Sequence, residues 1–119
     1  MNYLYVGLAG GLGAICRYLI GISLVTTQSI FPFSTLLVNL LGCFALAFIL
    51  SRTESFSYKA RLALGTGFLG SFTTFSAFSV ETIQLVEQSH YAMALIYLSC
   101  SIIGGIVSSN LGWKKEVGQ

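Results

Sequence analysis

The stretch 70–82, GSFTTFSAFSVET, interleaves Phe72, Phe75 and Phe78 with Ser71, Thr73, Thr74, Ser76, Ser79 and Thr82, and carries one acid, Glu81. Elsewhere the polar side chains in oily surroundings are few: Asn39 within STLLVNLLGCF, and Tyr97 and Ser101 within IYLSCSIIGG. Hydroxyl and amide groups donate hydrogen bonds, and phenyl ring edges carry partial positive charge, so this inventory can replace the water around a small, strongly hydrated anion. A lining without lysine does not trap such an ion. A cation path wants carboxylates at its mouth, and Glu81 is the single acid inside these oily stretches.

Catalysis is not expected. No constellation of His, Cys and carboxylate is spaced for nucleophilic or acid–base work. The glycine pattern GLAGGLGA imitates a dinucleotide-binding loop, but it lies inside an apolar run with no strand before it. His90 stands in the 87–90 connection without a second ligand at metal spacing. Cys16, Cys43 and Cys100 fall in three different apolar runs without paired spacing, so they read as small buried apolar residues and not as a disulfide or metal framework.

The elements that must position these groups follow from composition. Of 119 residues, 55% are hydrophobic and only 8% charged, with a mean hydropathy of +0.81; a soluble domain carries about a quarter charged residues. Apolar runs cover about 3–25, 33–50, 62–86 and 91–113, each long enough for a helix to cross the hydrocarbon layer. The expectation is an all-α membrane protein, one domain over 1–119 with four transmembrane helices in contact with membrane lipid. The first run lacks a basic leader and outlasts a signal-peptide core, so it reads as a span. Arg52, Lys59, Arg61, Lys114 and Lys115 fall on one side of the four-span topology, and only Arg17 can be counted toward the other. The positive-inside rule then predicts a multi-pass plasma-membrane protein with both termini in the cytoplasm.

Within the spans, Gly7 with Gly11, Gly10 with Ala14, and Gly104, Ser108 and Gly112 recur at spacing four and invite close helix approach. Asn39 must find a partner; an interhelical hydrogen bond and a place on a permeation path both satisfy it. The third run has two readings. Gly65, Gly67 and Gly70 followed by hydroxyl residues allow a break near 70–74 whose freed carbonyls could face a cation, or a continuous helix whose hydroxyls bond back one turn. Phe72, Phe75, Phe78 and Glu81 form one stripe at spacing three, and Tyr97, Ser101, Gly104 and Ser108 form a narrow arc on the fourth run. Four short helices packed together leave little room for a conduit, so a second chain is expected.

At these residues the chain resembles the Fluc fluoride channels, also called CrcB proteins, over nearly its whole length. The likeness rests on GGLGAICRY at 10–18, STLLVNLLGCF at 34–44, GTGFLGSFTTFSAFSVE at 65–81 and the Tyr97 to Ser101 spacing. The resemblance implies an antiparallel dimer of four-helix subunits, with the third helix broken near its middle. It implies a passive, fluoride-selective channel that exports fluoride from the cytoplasm and relieves its toxicity. By the same resemblance, Asn39, Phe75, Phe78, Tyr97 and Ser101 belong to the ion pathway. Carbonyls of Gly70 and Thr73 from both subunits hold a structural sodium ion at the dimer centre. Arg17, Thr74, Ser76 and Glu81 take structural or vestibular places. Ser71 stands where many members have another glycine, and Gly105 where some continue the hydroxyl track toward Ser108.

The resemblance implies a second copy or a related chain as the antiparallel partner; identical chains would have to insert both ways, which a weak Lys and Arg bias permits, so the strong bias here points to a related chain of opposite bias. Two other readings compete: a small multidrug-type cation exporter, which needs an acid in the first span where this chain has Arg17 and none, and a non-conducting assembly subunit, which leaves Phe75, Phe78 and Ser101 without a role.

Overall fold

A computed structural model of the chain describes residues 2–24, 30–52 and 54–113, and these are all helix and connecting turns, with no strand among them. Helix α1 covers Asn2–Leu24 and α2 covers Phe33–Leu50. A short helix α3, Tyr58–Arg61, leads into a π-helical stretch, Leu62–Leu69, and then α4, Gly70–Phe72. After two extended residues come α5, Phe75–Glu87, and α6, Tyr91–Gly112. Among the described residues, three helices are long and apolar enough to cross a membrane: Tyr3–Leu24, Phe33–Leu50 and Tyr91–Gly112. Lys114 and Lys115, on which the charge bias partly rests, lie outside the described residues, as does Val25 at the end of the first apolar run.

Local chemistry sets the element ends. Pro32 precedes α2, where its missing N–H costs nothing. Ser57 starts α3 by accepting the Ala60 N–H at 3.1 Å. The turn into α6 passes through Ser89 at φ 63°, a left-handed position, and is closed by the His90 N–H on the Leu85 carbonyl at 2.8 Å.

The main packing contacts set α1 against the π-helical stretch and α4, and α2 against α6. Both depend on absent side chains. A Cβ on Gly13 would run into the Phe68 carbonyl, and one on Gly112 into the Phe44 carbonyl. Gly104 likewise seats Leu40, whose Cδ2 would lie 2.8 Å from a Cβ there. Gly7 and Gly11 meet nothing within 4 Å, so that pair faces away from the chain's own helices. Spacing alone did not distinguish it from Gly10, which faces Ser71.

Two apolar cores result. Val38, Ile49, Leu69 and Phe72 form one, and Leu85, Ala94 and Tyr97, backed by Phe31 and Phe78, form the other. The spacing-three stripe is divided between them. Phe72 is buried and stacks on Phe68, ring centroids 5.7 Å apart, whereas Phe75 is 79% exposed, because the extended residues between them reset the helical phase. The outer faces are apolar: Leu4, Leu8, Ile15 and Leu19 on α1 and Ile102, Ile103 and Ile106 on α6 are exposed, as lipid contact or a further chain requires. Cys100 is also exposed and Cys16 and Cys43 are half-buried, which corrects the expectation that the three cysteines are buried.

Candidate functional site

The site begins where α4 ends. The Leu69 carbonyl accepts twice from Thr73, from its N–H at 3.0 Å and its hydroxyl at 2.8 Å. Thr73 (φ −85°, ψ 156°) and Thr74 (φ −149°, ψ 117°) are then extended. The Thr74 N–H donates to Asn39 Oδ1 at 2.8 Å, and Asn39 Nδ2 donates back to the Thr74 carbonyl at 3.1 Å. One side-chain amide from α2 therefore pairs with both polar backbone groups of one residue, as a neighbouring strand would. It also diverts the amide that would close the helical bond to the Gly70 carbonyl. Thr74 then serves as N-cap of α5, its hydroxyl accepting the Ala77 N–H at 3.1 Å and lying 3.1 Å from Ser76 Oγ. Gly42, one turn beyond Asn39 on α2, makes room for this: a Cβ there would overlap the Thr73 methyl group.

Below the extended pair lies a cavity of about 440 Å³ lined by Asn39, Gly42, Thr73, Phe75, Phe78 and Ser101, with Gly70 also on its wall. Ser101 lines this cavity, and its Oγ is buried with no hydrogen-bond partner among the described residues, an arrangement that normally costs about 1–3 kcal/mol. Phe75 and Phe78 stand 5.9 Å apart at 39°, and Phe78 stands 5.1 Å from Tyr97 at 54°. Tyr97 is fully buried behind Phe78 and does not line the cavity.

On the other side of Thr74 a second cavity of about 680 Å³ is lined by Arg17, Ser34, Thr35, Ser76, Glu81 and Gln84, among others. Glu81 is fixed at both oxygens: Thr35 donates to Oε1 at 2.8 Å and Tyr97 donates to Oε2 at 2.7 Å. These bonds tie α5 to α2 and α6 at once. Thr74 lies on the wall of both cavities, so the Asn39-held residue separates a polar chamber holding a cation and a carboxylate from an aromatic one.

The residues singled out from sequence thus fall into two groups. Asn39, Gly70, Thr73, Phe75, Phe78 and Ser101 meet around the smaller cavity, and Arg17, Ser76 and Glu81 around the larger, with Thr74 common to both. Tyr97 joins them indirectly, through Glu81 and Phe78. Gly104 and Gly105 on the same helix face Leu40 and Cys43, so that face of α6 packs on α2. Thr35 and Gly42 were not anticipated. Their signal was available: Thr35, Asn39 and Gly42 are spaced four and three apart, on one face of α2.

Comparison with known proteins gives a consistent picture. The family described as CrcB-like protein, Camphor Resistance (CrcB), matches residues 4–113. A protein of Bacillus cereus named fluoride-specific ion channel FluC 1 is 48% identical over 115 residues, which cover 93% of this chain and 80% of that protein. A Listeria innocua protein named fluoride-specific ion channel FluC 2 is 47% identical over 115 residues, covering 94% of this chain and 88% of its own length.

Proposed function

Since the chain belongs to the CrcB family, we propose that it forms a fluoride-conducting channel. The observation that carries the reading is the Ser101 hydroxyl, unpartnered among the described residues, at a cavity walled by Phe75 and Phe78. A buried donor without a protein acceptor, flanked by ring edges and an amide, is what a small dehydrated anion needs. Fluoride enters from the polar chamber beside Arg17, passes the Thr74 wall, and exchanges water for the Ser101 hydroxyl and the edges of Phe75 and Phe78. Among the described residues, no lysine or arginine side chain lines the aromatic chamber to trap the ion there.

In this reading the stretch 62–86 is the third of four spans and the extended pair Thr73–Thr74 is its break. Phe75, 79% exposed in the single subunit, supports a second chain against that face. We take this to be an antiparallel copy or a related chain. The charge bias favours both termini in the cytoplasm, and the outward fluoride gradient makes the flow an export that limits toxicity.

The resemblance also implies a sodium ion at the junction of the two copies. The donor chemistry fits: among the described residues no cluster of His, Cys, Asp or Glu could hold a metal, whereas the Gly70 carbonyl has lost its helical amide to the Asn39 pairing, and hard cations take oxygen ligands. Carbonyls of Gly70 and Thr73 would hold the ion, which would supply positive charge binding the two breaks together.

Liposomes loaded with potassium fluoride or potassium chloride test the function. Passive fluoride efflux without chloride leak is expected. Proton-coupled uptake of a drug cation would make it an exporter, and no flux of either ion in a correctly assembled protein would sink the channel reading. Replacing sodium by a large organic cation should lower the melting temperature of the assembly; an unchanged melting temperature would remove the sodium ion from the proposal.

A further inference from the structure

We propose that the groove between the C-terminal end of α2 and the start of the third helical stretch binds the phosphate of an anionic membrane phospholipid, with Arg61 as its reader. The groove is a cavity of about 430 Å³ whose walls include Leu46, Leu50, Tyr58, Arg61, Leu62 and Thr66. Arg61 Nε is buried and finds no acceptor among the described residues. A guanidinium keeps its charge at every accessible pH, so its unpartnered N–H cannot be relieved by deprotonation. The acceptor must therefore come from beyond the described residues, and the open groove beside Arg61 is where one can enter.

Phosphate is the acceptor that fits. Its oxygens take a guanidinium in a two-point geometry, and two further hydroxyl-bearing residues, Tyr58 and Thr66, line the same groove. Among the described residues no carboxylate lines the groove, so none receives the ammonium of a zwitterionic headgroup, while Lys59 adds a second positive charge to the short helix that carries Arg61. A lipid is favoured over free phosphate because Leu46, Leu50 and Leu62 give a hydrocarbon wall that only an acyl chain can use.

Neighbouring basic residues do not compete for this role. Arg52 donates to the Phe48 and Gly112 carbonyls at 3.2 and 3.1 Å and stacks over the Phe48 ring at 3.8 Å, so it seals the ends of α2 and α6. Lys59 lies 5.9 Å from the centre of the Tyr5 ring, a looser contact on the outer side. The groove sits where α2 leaves its apolar run and the charged connection begins, the depth at which headgroups lie.

Native mass spectrometry of the intact, delipidated protein in detergent, titrated with phosphatidylglycerol, phosphatidylcholine or inorganic phosphate, tests this independently of any fluoride flux. Phosphatidylglycerol should be retained about tenfold better than phosphatidylcholine, because the two share one phosphodiester and only the choline head adds a cation that Arg61 and Lys59 repel. Arg61→Gln should abolish that preference, Arg61→Lys should keep part of it, and Lys59→Gln should leave most of it. Equal retention of the two lipids by the unaltered protein overturns the proposal without any variant. So does an equal loss in Lys59→Gln and Arg61→Gln, displacement of the lipid by inorganic phosphate, or a second copy of the chain covering Arg61 and excluding lipid.

Discussion

Asn39 and Thr74 form a closed reciprocal pair, Thr74 N–H to Oδ1 at 2.8 Å and Nδ2 to the Thr74 carbonyl at 3.1 Å, across 35 residues of sequence. Asn39→Leu leaves both backbone groups of Thr74 unpaired, at a cost of about 1–3 kcal/mol each before relaxation. The expected outcome is a melting temperature several degrees lower and a large fall in fluoride efflux. Asn39→Asp keeps the acceptor but loses the donor, so its melting temperature should fall between those of Asn39→Leu and the unaltered protein. A wild-type melting curve for Asn39→Leu would show that the pair does not hold the extended segment.

Gly42 and Thr73 should be coupled. Gly42→Ala drives a methyl group into the Thr73 side chain and should destabilise by about 1–3 kcal/mol, as overpacking does. Thr73→Ser removes the offending methyl and keeps the hydroxyl bonded to the Leu69 carbonyl. The double variant should therefore recover most of the lost stability, measured by thermal denaturation in detergent. Additive losses would place the effect elsewhere.

Glu81 accepts from Thr35 and Tyr97 at 2.8 and 2.7 Å. Tyr97→Phe removes one donor while leaving the ring against Phe78 and Phe31, and should cost about 1–2 kcal/mol. Thr35→Val should cost a similar amount. Because both hydroxyls act through one carboxylate, the effects should be non-additive in a double-mutant cycle, and neither should cost stability in a Glu81→Leu background, which offers no acceptor. Full additivity would disprove the shared role.

Ser101 offers a dissociation between stability and transport. Its hydroxyl is buried with no partner among the described residues, so Ser101→Ala should leave the melting temperature unchanged or raise it slightly. Fluoride efflux should nevertheless fall by roughly tenfold, the effect of losing about one hydrogen bond to the ion. A loss of stability with intact flux would reverse the assignment.

Helix positions were largely legible in the chain because lipid enforces a simple code. The uncharged run at 33–50 and the helix Phe33–Leu50 coincide, since nothing within it competes with the helical backbone. The segment 70–74 was not decidable from its own residues. Glycines and threonines there permit both a continuous helix and an extended pair, and the deciding partner, Asn39, lies on a different helix. The aromatic stripe failed for the same reason: counting Phe72 with Phe75 assumes an unbroken helical phase. Glycine spacing located helix approach on the first run but not the responsible residue, because Gly10 and Gly13 face α4 and the π-helical stretch while Gly7 and Gly11 do not. Thr35 escaped notice because a lone hydroxyl in an apolar run normally bonds back to its own helix, and only the fold brings Glu81 to it.

The Asn39 to Thr74 pairing also fixes an order of events on the ribosome. The amide is synthesised first and waits in the bilayer, so when the threonine emerges its exposed backbone has a ready counterpart and need not enter lipid bare. A circularly permuted gene that begins at the third stretch would deliver the threonine before its counterpart, and biogenesis of that stretch should then stall or leak to quality-control proteases even though every final contact is still encoded.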